Sequence, residues 1–287
     1  MGESPDAFET LLATLLWEGY ALYPYTSGAA KNSTPTPFGI VYPAPYAATN
    51  AGARESLTLR GLAVAGPGAP LAAEVRFLQS SGARHEAEER RVAFAACPLA
   101  ELALQPREQA FAQGGLQAAL RLSAEELAPE RYAVDLRVEN TTPFGTRDAS
   151  RGEALESSLL STLPFLLLGE GRFASPLDEG AALCSENTFP VLATEHDDVL
   201  LGATIMLPEH PQIAPESRGD LFDGTEIEEA LLLHVLALSD DERASIERDD
   251  PAVRAMIERA AAATPAEILA LHGRMTLSDP HSEEASR

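Results

Sequence analysis

RYAVDLRVEN, residues 131–140, sets Tyr132, Val134, Leu136 and Val138 on one side of an extended chain and Arg131, Asp135, Arg137 and Glu139 on the other. Side chains alternate across a strand, so this pattern is that of a strand with one face buried. SLTLRGLAV (56–64), LAAEVRFLQ (71–79), RRVAFAA (90–96) and LQAALRLS (116–123) repeat it. Gly-Pro-Gly (66–68) and Ser-Ser-Gly (80–82) read as turns between them. The connections are too short for helical crossovers, so the strands are expected to form a largely antiparallel sheet or sandwich.

Upstream, DAFETLLATLLW (6–17) has apolar residues at helical spacing and reads as a short amphipathic helix. YALYPYTSGAAKNSTPTPFGIVYPAPY (20–46) then carries prolines at 24, 35, 37, 43 and 45 and five of the six tyrosines. That proline density predicts an ordered loop with extended pieces. Downstream, ALESSLLSTLPFLLL (154–168) reads as a helix ending before Pro164, followed by a strand. NTFPVLAT (187–194) and DVLLGATIML (198–207) read as strands joined by the polar turn EHDD (195–198). Capping boxes at Thr225/Glu228, Ser239/Glu242 and Thr264/Glu267 place helices near 226–238, 240–248, 251–262 and 265–272. Pro251 and Pro265 suit first helical positions, and Gly273 suits a stop. The expected class is α+β: a β-rich, mainly antiparallel body (1–210) with a C-terminal helical cap (211–277) and a disordered tail (278–287).

The formal charge of −23 disfavours phosphate backbones and anionic lipid surfaces, so neither nucleic acid nor membrane is expected as a partner. Residues 195–250 alone hold 16 Asp/Glu against three Arg, which is −13 of that total. Cys97 and Cys184 form no C-x-x-C, which points away from a disulfide scaffold or zinc ribbon and towards a reduced, cytoplasmic life. The acidic amino terminus lacks the basic region and cleavage site of a signal peptide. The apolar run LLSTLPFLLLG (159–169) is too short to span a bilayer as a helix.

No complete catalytic motif is present. Lys31 is flanked by Ala30 and Asn32 rather than by the Gly and Ser/Thr of a Walker loop, and there is no G-x-G-x-x-G or G-x-S-x-G. HEAEE (85–89) lacks the second histidine of H-E-x-x-H and is expected in a polar turn. Lys31 is the only lysine, in the tyrosine-rich loop, and is read as a charged anchor rather than a catalytic amine. Its expected partner is Glu216, Asp220 or Asp223. Those acids stand with His210 and Glu226 in IMLPEHPQIAPESRGDLFDGTEIEE (205–229), a set with metal-compatible ligands. The preferred reading is loop architecture and helix-start acids, so no metal or cofactor is assigned. His234 is expected on the core side of its helix, and Cys184 as a small hydrophobe ahead of a strand.

LLWEGYALYPYTSGAAKN (15–32), FGIVYP (38–43), VENTTPF (138–144), CSENTFPVL (184–192) and IMLPEHPQIAPESRGDLFDGTEIEEALLLHVLALSDDE (205–242) together resemble a family of proteins encoded beside NiFe hydrogenase genes in actinobacteria and some other bacteria. The likeness runs from about residue 15 to 275 and is only general between about 60 and 135. It implies a role in hydrogenase production, with no settled reaction and no catalytic residues. Glu18, Tyr20, Tyr23, Tyr25, Lys31, Asn32, His210, Glu216, Asp220 and Asp223 are thereby motif residues and binding candidates. The expected function is a cytoplasmic accessory or assembly protein contacting a hydrogenase subunit or maturation protein. The alternatives are a metal-dependent hydrolase built on His210 and its neighbouring carboxylates, and a small-molecule binder built on the tyrosine-rich loop.

Overall fold

The computed structural model describes residues 5–21, 39–80, 87–145, 149–178 and 183–212, with side chains in the first segment from Ala7 to Trp17. The chain divides into two units, Met1–Gln212 and Ile213–Arg287, and every described residue belongs to the first. The helices expected beyond residue 225 lie outside the described residues.

The described elements are α1 (Pro5–Ala21), α2 (Ala44–Ala47), β1 (Ser56–Val64), β2 (Pro70–Ser80), β3 (Ala87–Pro98), α3 (Leu99–Leu104), β4 (Arg107–Gln113), β5 (Leu116–Ala128), β6 (Arg131–Asn140), α4 (Arg151–Glu156), β7 (Leu160–Leu168), β8 (Arg172–Phe173), β9 (Phe189–Leu192) and β10 (Val199–Ala203). They form two five-stranded antiparallel sheets, β4-β5-β6-β1-β8 and β3-β2-β7-β10-β9. The body is β-rich, as the alternation predicts.

Between the sheets lies one apolar core. Leu57 and Leu59 of β1, Leu120 and Leu122 of β5, and Tyr132, Val134, Leu136 and Val138 of β6 face Leu71, Val75 and Phe77 of β2 and Leu166 and Leu168 of β7. On β5, exposed or half-exposed residues alternate with the buried ones, so that sheet's outer face is solvated along this strand. Strand β7 is buried along almost its whole length, because α1 packs over its outer side. Leu12 and Leu16 are fully buried, and Phe8 meets Phe165 edge-to-face at 5.6 Å. Arg76 of β2, itself buried, fixes the helix by donating to both Glu9 oxygens at 2.7 and 2.8 Å. It also donates to Glu74 and lies over the Phe165 ring, 5.4 Å from its centroid.

The structure corrects several expectations. The helix predicted up to Pro164 is only α4, closed at its start by a capping box between Ser150 and Glu153. The chain is already in a strand from Leu160, because a nine-residue stretch buried on both faces, apolar but for Ser161 and Thr162, suits a strand. Pro164 is tolerated inside this strand because the β7–β10 ladder runs only from Leu167–Val199 to Phe165–Leu201. Beside the proline ring stands Gly202, where a Cβ would lie 2.7 Å from Pro164 Cγ. Helix α1 runs on through Glu18 and Tyr20, into the stretch read as loop. The proline-rich segment also holds the single turn α2, in which Pro43 is the N-cap and the other proline is among the first helical residues, where no N–H is required. Glu88 and Glu89 of HEAEE are not in a turn but in β3, each paired two residues on, with Arg90 and Arg91. Strand β4 and helix α3 have no counterpart in the sequence reading.

Candidate functional site

Three of the motif stretches meet around residues 39–42. Gly39 has φ +61°, and a Cβ there would lie 2.7 Å from Thr204 Cγ2 and 2.9 Å from Thr162 O, so only glycine fits this entry. From there most of the backbone groups are bonded. The Thr162 N–H donates to Gly39 O (2.9 Å), and Val41 exchanges both hydrogen bonds with Leu159 (2.9 and 3.1 Å). The Tyr42 N–H donates to Arg54 O at 2.8 Å.

Two asparagines add side-chain bonds from opposite sides, one to the Ile40 carbonyl and one as a second donor to the Val41 carbonyl. Asn140, at the end of β6, donates from Nδ2 to Val41 O (2.9 Å) and Ser157 O (2.8 Å), while its Oδ1 accepts from the Thr142 N–H (2.9 Å). Asn187, just ahead of β9, donates from Nδ2 to Ile40 O (2.8 Å) and at 3.4 Å to Ser56 O. It sits at φ +60°, a left-handed conformation that asparagine adopts more readily than most residues. Both asparagines belong to the same five-residue word, Glu-Asn-Thr-X-Pro, at 139–143 and 186–190. The two copies also grip the beginning of β1: the Asn140 N–H donates to Glu55 O, and Thr58 and Glu186 exchange backbone bonds. Neither asparagine was among the sequence candidates, although the repeated word was the signal that could have found them.

Behind this clamp, Tyr42 and Tyr46 stack with centroids 5.2 Å apart and planes 29° from parallel. Burial pushes the Tyr46 phenol above its ordinary range, the neighbouring Tyr42 adds to this, and Arg151 works against it. The Tyr42 hydroxyl and Asn187 Oδ1 are buried and make no hydrogen bond to the described residues. The arrangement is therefore a rigid junction that positions the chain leaving the tyrosine-rich stretch. It contains no nucleophile–base pair.

His210 stands elsewhere, at the end of the body. Its Nε2 lies 2.9 Å from Asp197 Oδ1, its N–H donates to Leu192 O (2.7 Å), and its φ is +54°. Asp197 belongs to the 195–198 turn, whose peptide groups hold β8 and β7: Phe173 N–H donates to Asp197 O and Leu168 N–H to Asp198 O. His210 thus ties the end of the first unit to a turn, and Asp197 is a partner that sequence spacing did not single out. Among the described residues no group of three or more His, Cys, Asp or Glu could hold a metal ion. Glu18 and Tyr20 lie in the last turns of α1. Their side chains lie outside the described residues, as do Tyr23, Tyr25, Lys31, Asn32, Glu216, Asp220, Asp223 and the expected Lys31 ion pair. Cys97 is buried beside Arg107, and Cys184 is exposed rather than the small buried hydrophobe expected. Among the described residues no helix is long and apolar enough to cross a membrane. The sequence matches no protein-family model and no curated protein.

Proposed function

We propose that this protein is a cytoplasmic accessory factor of a NiFe hydrogenase, binding a hydrogenase subunit or maturation protein through surface contact. The observation that carries the reading is the meeting of FGIVYP, VENTTPF and CSENTFPVL, three stretches of the family resemblance, in one hydrogen-bonded junction. Side chains committed to main-chain carbonyls do structural work, so these motif residues serve to present a segment rather than to react. The binding face would come from the acidic region 195–250, much of it in the part 211–277 expected from the sequence to be helical, against a basic patch on the partner. The full chain, used as bait in an extract of a hydrogenase-producing host, is expected to capture a hydrogenase subunit or maturation protein at low salt and release it as salt rises. Recovery of neither at low salt overturns the proposal.

A further inference from the structure

Among the described residues each sheet of the sandwich ends in two edge strands, and three of the four are blunted. Strand β8 has two residues. Strand β9 has four and contains Pro190. Strand β3 is irregular where Leu71 and Ala73 of β2 change register against it, and the Gln109 side chain occupies its Ala93 carbonyl. Short strands, prolines, bulges and covering groups are the usual defences of a sheet edge. Strand β4, REQAFAQ, has none of the first three. Its seven residues pair with β5 without a register shift, its side chains are exposed apart from half-buried Phe111, and its centre is Ala110-Phe111-Ala112.

Among the described residues its outward backbone groups have no partner, and their direction follows from the hairpin. Gln113 and Leu116 close the two-residue turn Gly114-Gly115 and form the first hydrogen-bonded pair. Arg107, Gln109, Phe111 and Gln113 therefore bond to β5. Glu108, Ala110 and Ala112 aim their N–H and C=O groups away from the sheet. The next ladder agrees, since Gln117 turns its carbonyl the other way, to the Thr141 N–H (3.0 Å).

We infer that β4 is the strand through which two copies of this chain pair antiparallel, joining their sheets into one of ten strands. The second copy is favoured because the strand is complementary to itself. With Ala110 opposite Ala110 of the second copy, all seven residues are matched: Arg107 with Gln113, Glu108 with Ala112, Gln109 with Phe111. No two like charges face each other, and the two Phe111 rings come within one diagonal step. The flanking charges are internally paired, Arg107 with Glu101 and Arg121 with Glu108, which leaves the edge locally neutral. The opposing force is the charge of −23 on each copy. It is long-range, and the Debye length falls from about 30 Å at about 0.01 M salt to about 8 Å at about 0.15 M.

The test is sedimentation of the full chain across a micromolar concentration series at low and physiological salt. A monomer–dimer equilibrium is expected, with the dimer favoured by the higher salt. Ala110→Lys, which sets two ammonium groups face to face, should weaken it on the order of tenfold or more. Ala110→Pro, which removes one of the outward N–H groups, should do likewise. Melting temperature and far-UV circular dichroism show whether either variant has misfolded. Amide exchange supplies a second readout in the unmodified chain. Glu108, Ala110 and Ala112 should gain protection as concentration rises, while Gln109 and Phe111 are protected throughout. A monomer under all conditions overturns the inference. So does a dimer indifferent to both folded variants, or outward amides whose exchange ignores concentration. Because this association strengthens with salt and hydrogenase capture should weaken, failure of one is distinguishable from failure of the other.

Discussion

Asn140 shows how much one buried amide can decide. It is 5% exposed and satisfies two carbonyls and one N–H at once, a combination that only a side-chain amide supplies. Asn140→Ala deprives the Ser157 carbonyl and the Thr142 N–H of these bonds, while the Val41 carbonyl keeps the Leu159 N–H. At about 1–3 kcal/mol for each of the two groups, a loss of about 2 kcal/mol or more is expected. Asn140→Asp is expected to be worse, although its shape is the same, because a carboxylate oxygen would then face the carbonyls of Val41 and Ser157. Denaturant melts of both variants check this, and an aspartate variant as stable as the parent would show that the amide is not the clamp. Glu9 makes a pH-dependent contribution. The hydrogen bond from Arg76 holds its carboxyl below the ordinary 4.5, against the smaller opposing effect of burial. A group whose folded pKa is depressed stabilises fully above its unfolded pKa and loses that contribution as pH falls through the folded one. Docking of α1 should therefore be unaffected near neutrality and weaken below about pH 4.5. Because the Glu9 side chain is 51% exposed, the effect should stay within the ~0–1 kcal/mol of a solvent-screened pair. Melting temperatures of Glu9→Gln and the parent should differ at pH 7 and converge in acid, and parallel curves would remove Glu9 from the account.

Strand β7 carries the clearest consequence at the scale of an element. A methyl group at Gly202 would lie 2.7 Å from Pro164 Cγ and 2.6 Å from Thr188 Oγ1. Gly202→Ala is accordingly expected to cost about 1–3 kcal/mol by overpacking. Combining it with Pro164→Ala should recover part of that loss, since the ring is half of the clash, and strictly additive losses would exclude the coupling. The same strand marks where sequence reading stopped. Strands β1, β2, β5 and β6 were legible because their core faces alternate with polar residues, and β1 and β6 coincide with the residues quoted for them. Strand β7 was read as part helix because both its faces are apolar, the case in which periodicity cannot separate helix from strand. Strand β4 was missed for the opposite reason: with six of its seven residues exposed, it shows no burial pattern to read. At the site, the motif words were visible but the clamp was not. Asn140 and Asn187 bond main-chain carbonyls about 100 or more residues away, at Val41 and Ile40, and carbonyls have no sequence signature.

At the scale of the whole molecule, charge governs association. More than half of the −23 is concentrated in residues 195–250, although part of that segment lies in a stretch that carries the proposed family resemblance. A helix start needs only a few acids, and a face that merely keeps the protein in solution needs no particular order. If this region recognises a basic partner, the encounter should be steered at low salt and slowed once charges more than about 8 Å apart are screened. Asp240 and Asp241 are the residues to change, because neighbouring Glu242 is expected to cap a helix and its loss would confuse folding with binding. Asp240→Lys with Asp241→Lys alters the local charge by four units. It should reduce low-salt capture of the proposed hydrogenase partner by on the order of tenfold, the equivalent of about 1.4 kcal/mol. The melting temperature should fall by less, since two acids lost from the first turn of the helix expected at 240–248 account for about 0.3–1 kcal/mol each. The same variant should strengthen rather than weaken pairing through β4, because it lowers the charge that holds two copies apart. Undiminished capture at low salt would reduce the acidic region to a solubility device and leave the partner's contact to be sought elsewhere on the chain.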